Sequence, residues 1–282
     1  MRDDPLSIPP DALGQGSPCS LRVLDDMQAL TRCFADMLFN EYRDAKAKGR
    51  EKVAFIVPVG PVGQFELFAA RVNAERLSIR ELVVINMDEY LSPDGRDFIL
   101  TTDPLSFRGH MERNLWSRLD PELAPPEEQR HFPSPLRPDD TTRMIARLGG
   151  IDVAFGGVGI TGHLAFNDPP EPGEPLDVDT FASLPTRVVR LSRETLTINS
   201  VTAARGNIDR IPKLAVTVGM KEILEARKIR VFMNRPWQCA VVRKLLHGPV
   251  TAACPASLLQ RHPDVRVTIT REAAELPEPT LR

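Results

Sequence analysis

The sequence predicts an α/β protein organised around one doubly wound, mostly parallel sheet. Three observations lead there. Short unbroken apolar runs at Val53–Val57, Leu82–Met87 and Ile151–Phe155 have the length and composition of strands buried on both faces. Stretches with apolar residues at i, i+3, i+4 spacing separate several of these runs, which gives strand–helix–strand units. Two runs also end abruptly in polar or glycine-rich chain: Asp88-Glu89-Tyr90 after one, and Gly156-Gly157-Val158-Gly159-Ile160-Thr161-Gly162-His163 after the other.

Residues 1–20, with Pro5, Pro9, Pro10, Gly14, Gly16 and Pro18, read as a flexible N-terminal arm, and 21–282 as a single domain. Met27, Leu30, Cys33, Phe34, Met37, Leu38 and Tyr42 form the apolar stripe of a helix over Asp25–Lys48. Val53–Val57 is the first strand. Pro58 to Gly63 then turns into a helix from Gln64 to about Arg76. A glycine turn before a helix N-terminus is an anion cradle, with Gly60 and Gly63 as its candidate backbone contacts.

Leu82–Met87 is the next strand, followed by a turn at 91–95. Leu105, Met111, Leu115 and Trp116 then share one face of a helix over 104–119. Residues 121–140 read as a Pro-rich connection and 141–148 as a helix leading into the strand 151–155. From Pro169 to Thr186 the chain is loop-like, and Pro170, Pro172, Pro175 and Pro185 suit a lid and a passive surface loop equally. A strand at 188–191 is followed by a polar stretch to Asp209. Then come a strand 214–218, a helix 220–227, a strand 229–233, a helix from Pro236 to His247, a last strand 265–269 and a polar tail. No Gly-x-Gly-x-x-Gly opens the first helix after a strand, which argues against a dinucleotide. The arrangement is a single Rossmann-like sheet.

Hydrophobic residues make up 42% and charged residues 26% of the 282, the balance of a soluble globular protein. A net charge of −2 leaves no basic footprint for nucleic acid. No run reaches the ~18 apolar residues of a membrane-spanning helix, and no apolar segment of signal-peptide type follows Met1–Pro5. Cys19, Cys33, Cys239 and Cys254 are scattered without a C-x-x-C pair, which points to free thiols in a reducing cytoplasm. We therefore expect a cytoplasmic protein without a nucleic-acid or membrane partner and without a metal or other cofactor.

Two carboxylates at the tip of an apolar strand are costly unless solvated, paired or used. Glycines let a ligand approach the backbone without meeting a Cβ. Ligands in open α/β sheets bind beyond the carboxyl ends of the strands. Asp88, His163 and Asp168 should therefore meet on one rim of the sheet, with the composition of a proton-transfer site.

Asn86-Met87-Asp88-Glu89-Tyr90, the loop continuing through Gly162-His163-Leu164-Ala165-Phe166-Asn167-Asp168-Pro169, and Ala215-Val216-Thr217-Val218-Gly219-Met220 together resemble the glucosamine-6-phosphate deaminase (isomerase) family. The resemblance runs in one order from about Val53 to Ile269. It implies a sugar or sugar phosphate as ligand, a homo-oligomer, and a lid over about 170–209 carrying short antiparallel strands. It also implies metal-free aldose–ketose isomerisation with loss of ammonia. By this resemblance Asp88 is the base at carbon, Glu89 its neighbour and His163 the ring-opening residue. Gly157, Gly162 and Asn167 join the substrate-binding set.

Asp168 stands where the family has a glutamate, one methylene longer, so its contact with the imidazole is expected to need a water or a backbone shift. Thr161 stands where the family has Asp or Asn, and loss of that acid should make His163 less basic. At the phosphate end Pro61 replaces a glycine and removes a backbone donor. Val62 takes the hydroxyl position and Gln238 that of a lysine, which leaves Arg235 as the substitute cation. Arg205 is the nearest counterpart of a further family arginine. Of the cations the family uses for an allosteric effector only Arg187 aligns, with Val189 at the lysine position. The proton-transfer groups persist while the anion-binding partners change, which points to the same reaction on a sugar altered at its far end, unphosphorylated or acidic. Two other readings stay open. One is a 6-phosphogluconolactonase-like hydrolase, whose loop continues Ser-Leu-Phe-Pro where this chain has Ala165-Phe166-Asn167-Asp168-Pro169. The other is a non-catalytic sugar-binding protein, suggested by Thr161.

Overall fold

The computed structural model of the protein describes residues 4–171, 173–174 and 177–279. In chain order its elements are β1 (Ser20–Leu24), α1 (Met27–Ala47), β2 (Val53–Val57), α2 (Gln64–Glu75), β3 (Leu82–Asn86), β4 (Asp88–Tyr90), α3 (Phe107–Asn114), β5 (Arg130–His131), α4 (Asp139–Arg147) and β6 (Val153–Gly156). They continue with α5 (Val178–Ala182), β7 (Arg187–Arg190), α6 (Arg193–Ala203), β8 (Leu214–Thr217), α7 (Met220–Leu224), β9 (Ile229–Met233), α8 (Cys239–His247), β10 (Val265–Thr270) and α9 (Arg271–Ala274).

Seven strands form one parallel sheet in the order β1-β10-β9-β6-β2-β3-β5. Side chains alternate across it, as a strand repeat of two requires. Ala54, Ile56, Val83, Ile85, Ala154, Val231 and Ile269 enter the core on one face. Val53, Phe55, Val57, Val84, Val153, Phe155 and Phe232 enter the core on the other. Both faces are covered by helices, so the central strands read as unbroken apolar runs. From β2 the chain winds outward through β3 to β5, then returns to the other side of β2 and winds outward through β6, β9 and β10. The switch point therefore lies between β2 and β6, where such sheets open a crevice at their carboxyl ends.

β4, β8 and β7 form a second, antiparallel sheet, with Asp88 and Arg187 both opposite Thr217. The strand expected at 214–218 thus belongs to this small sheet and not to the large one. Only Met87 separates β3 from β4. Its N–H donates to Val57 O at 2.9 Å, and its carbonyl accepts the N–H of Val218 at 2.7 Å. That single residue carries the chain from one sheet to the other.

Several expectations need correction. The stretch 4–19 is not a loose arm. Leu13 and Cys19 are buried in the core, and the Arg243 guanidinium donates to Ile8 O at 2.9 Å. The same guanidinium donates to Cys239 O, Ala274 O and Glu275 O, which fastens the two ends of the described chain to α8. The polar stretch after residue 191 contains helix α6, capped by Ser192 Oγ accepting from Thr195 N. The helix expected over 104–119 breaks after Asn114 into a 3-10 turn, and the one expected from Pro236 begins with a 3-10 turn at Pro236–Gln238. Within the stretch 170–209, Pro172 and Pro175 lie outside the described residues, as do Met1 to Asp3 and the end of the polar tail from Thr280. Among the described residues no helix is long and apolar enough to cross a membrane.

Candidate active site

A cavity of about 410 Å³ opens at the carboxyl ends of β2, β3, β6 and β9. Asp88, His163, Gly60, Gly157, Arg235 and Gln238 all line it, so residues 75 positions apart in sequence share one space. Asp88 is the first residue of β4, and alternation along that strand turns Asp88 and Tyr90 to the cavity and Glu89 away from it. No hydrogen bond among the described residues holds the Asp88 carboxyl. Burial, with the Glu89 carboxylate as a lesser cause, pushes it up to about 8.

Glu89 has a different task from the expected substrate contact. It is fully buried and does not line the cavity. Its carboxylate accepts from Ser106 Oγ at 2.9 Å and from the N–H groups of Tyr90, Phe107 and Arg108 at 2.8, 3.1 and 2.7 Å. Two of those N–H groups are unpaired donors of the first turn of α3, so Glu89 anchors the helix start. Burial raises its carboxyl above the ordinary range, and the four donors oppose that rise.

His163 sits in the loop after β6. Its Nδ1 lies 2.8 Å from Asp168 Oδ1, 2.9 Å from Thr161 Oγ1 and 3.2 Å from Thr195 Oγ1. Both threonine hydroxyls are 2.8 Å from that same Asp168 oxygen. An ionised carboxylate only accepts, so each hydroxyl spends its proton on Asp168 and presents lone pairs to the imidazole. The neutral ring therefore carries its proton on Nδ1 and keeps a free pair on Nε2. Burial works against the Asp168 charge, but His163 and the two hydroxyls prevail and hold the carboxyl well below the usual range. The shorter side chain thus reaches the imidazole directly, with no water needed between them. The missing acid at Thr161 leaves His163 with a carboxylate partner.

The remaining expected site residues divide. Gly60 and Gly157 border the cavity. Gly63, at φ 105°, opens α2 and faces Thr31. Gly162, at φ +86°, backs onto Cys254, where a Cβ would meet Sγ at 2.7 Å. Asn167 is fully buried and does not line the cavity. Its amide donates to Leu164 O and Val218 O at 2.9 Å each and accepts from Arg187 Nη1 at 2.8 Å, so it ties the histidine loop to the small sheet. Gln238 borders the cavity with its amide already engaged. It donates to Val158 O at 2.7 Å and accepts from Asn234 N and Arg235 N at 2.9 and 2.8 Å. Arg235 is exposed at the cavity edge, and its guanidinium has no ion pair among the described residues.

Sequence reasoning missed three contributors. Gly159 lies under the imidazole, where a Cβ would come within 1.9 Å of Nε2. Thr195 reaches His163 from the first turn of α6, and only a correct reading of Ser192 as a helix cap could have placed it. Tyr90 lines the cavity and its hydroxyl accepts from Asn199 Nδ2 of α6 at 2.9 Å. Tyr90, Phe107 and Phe166 pack with ring centroids 5.0 to 6.2 Å apart and give the cavity an aromatic wall. Among the described residues no three His, Cys, Asp or Glu side chains are grouped to hold a metal ion.

The chain matches no family-level sequence model. It is 31% identical over 213 residues to the glucosamine-6-phosphate deaminase of Lachnoclostridium phytofermentans, an alignment spanning 73% of this chain and 81% of that one. Its fold superimposes on a monomeric glucosamine-6-phosphate deaminase with a TM-score of 0.74 at 24% identity, covering 90% of this chain and 98% of the other. It also superimposes on the 6-phosphogluconolactonase of Thermotoga maritima with a TM-score of 0.63 over 89% of this chain and 99% of the other. At 12% identity that second likeness concerns architecture alone. With the sequence likeness extending over most of both chains, this protein belongs to the glucosamine-6-phosphate deaminase family.

Proposed function

We propose that the protein isomerises and deaminates an amino sugar, with Asp88 and His163 moving the protons. One observation carries this reading: an unbonded carboxyl and an imidazole with a free Nε2 face the same cavity. Nε2 takes the proton of the anomeric hydroxyl, the ring C–O bond breaks, and the imidazolium returns a proton to the ring oxygen. Asp168 stabilises the imidazolium between those events. In the open chain the Asp88 carboxylate removes the proton from C2, and that electron pair forms the C1=C2 double bond. The C1=O π pair moves onto O1, which takes a proton from the substrate's own 2-ammonium group and gives an enolamine. Asp88 then returns a proton to C1, which leaves a C2 imine that water converts to ketose and ammonia. A base near pH 8 is matched to neutral conditions, where proton transfer both to and from it is feasible.

The far end of the sugar is where this chain departs. Pro61 offers no N–H, Val62 no hydroxyl, and Gln238 no charge where the family has a lysine, which favours a substrate altered there. Four unpaired cysteines suit the reducing cytoplasm we propose as its location. The test is ammonia and ketose release from a panel of amino sugars with and without a 6-phosphate. Strong turnover of glucosamine 6-phosphate alone would refute the altered end, and turnover of none would refute the reaction.

A further inference from the structure

The cavity holds a second histidine for which the proton-transfer chemistry has no use. His110 lies on α3, one turn beyond the start anchored by Glu89, and lines the cavity with Ser106 and Phe107. Its Nδ1 is 3.1 Å from Asn114 Nδ2. An amide NH₂ can only donate, so Nδ1 accepts and Nε2 carries the proton. That Nε2 is buried and meets no partner among the described residues. Buried N–H donors are rarely left unpaired; the ring lines the cavity, so a ligand acceptor that draws Nε2 outward would complete this one.

The surroundings indicate the kind of acceptor. Glu66, in the first turn of α2, is close enough for its charge to act on the His110 ring, and its own Oε2 is buried without a donor. The turn before α2 contributes Val59, Pro61 and Val62, which bring neither a hydroxyl nor a cation to this end of the cavity. Burial, the largest cause, lowers the basicity of His110, so the ring here is neutral. A neutral single donor near a carboxylate suits a hydroxyl. A phosphate dianion would face the Glu66 charge with Arg235 as the one cavity-lining cation among the described residues.

We propose that His110 recognises the far end of the substrate, donating Nε2–H to an uncharged hydroxyl, and so selects an unphosphorylated amino sugar. This rests on the amino-sugar reading and deepens it. The test uses wild type, His110→Phe and His110→Gln in two measurements. One is the rate of ammonia release from glucosamine and glucosamine 6-phosphate. The other is calorimetric binding of glucosaminitol and its 6-phosphate, open-chain alcohols that cannot isomerise. Wild type should favour the unphosphorylated member of each pair. His110→Phe should raise KM for glucosamine and Kd for glucosaminitol about 10- to 100-fold, with kcat changed less than about threefold. His110→Gln, which keeps an N–H donor, should recover to within about fivefold of wild type and guards against a folding defect in the first variant. Wild-type affinity for glucosaminitol in His110→Phe, preference for the phosphorylated ligands, or no binding of either alcohol by wild type would each overturn the proposal. Absent turnover with the binding pattern intact would sink the deamination reading and leave the role of His110 standing.

Discussion

His163 Nδ1 meets Asp168 Oδ1 at 2.8 Å, and the same oxygen collects the hydroxyl protons of Thr161 and Thr195. Three donors on one oxygen fix the carboxylate, and the carboxylate in turn fixes the tautomer. Asp168→Asn would preserve the shape but place an N–H₂ or a weaker acceptor against Nδ1. We expect kcat to fall about 10²- to 10⁴-fold with little change in KM. A pH titration of stability provides a second readout. The folded carboxyl is depressed, so its contribution is present above the unfolded pKa of about 4 and is lost as pH falls below it. Wild type should therefore lose more stability on acidification below about pH 4 than Asp168→Asn does, as measured by urea unfolding.

Asp88 has the opposite sign. Its carboxyl, raised to about 8, keeps a proton in the folded protein that the unfolded chain releases near pH 4. Stability should fall as pH rises between those values and level off on either side. Asp88→Asn should therefore melt above wild type at pH 8, with the difference shrinking towards pH 5, while turnover is abolished. An advantage that did not change with pH would contradict the raised value.

Gly159 tests the seat of the imidazole. A Cβ there would come within 1.9 Å of Nε2, so Gly159→Ala must tilt or displace the ring. We expect a loss of about 10²-fold or more in kcat with an unchanged circular dichroism spectrum. Near-normal activity would show that the ring has another productive position.

Arg243 is a structural control. It is fully buried and donates to four carbonyls, including Ile8 and Ala274 from opposite ends of the chain. Arg243→Met should cost about 2–4 kcal/mol in urea unfolding while leaving kcat and KM alone, since the residue does not line the cavity.

Much of the large sheet was legible because its strands are buried on both faces, and such burial writes an uninterrupted apolar run. Ile229–Met233 and Val53–Val57 coincide with the expected strands for that reason. β1 and α6 were not legible. β1 is an edge strand with no buried residue, behind a Pro-rich segment, and α6 carries threonines and an asparagine that depress its apolar periodicity. Among site residues, Asp88 and His163 stood out as polar groups where an apolar run ends. The direction of a side chain was harder to read. Glu89 and Asn167 belong to the same motifs but point into the scaffold, and only strand alternation and the hydrogen-bond partners separate the residues that face the cavity from those that hold it open.

Asp88 rides on the small antiparallel sheet, whereas His163 stands on the loop rising from β6 of the large one, and Met87 is the stitch between them. The two proton carriers are thus mounted on separate plates. Their spacing is set along the seam where the plates join, and a slip of about an ångström there would detune the pair without touching either side chain.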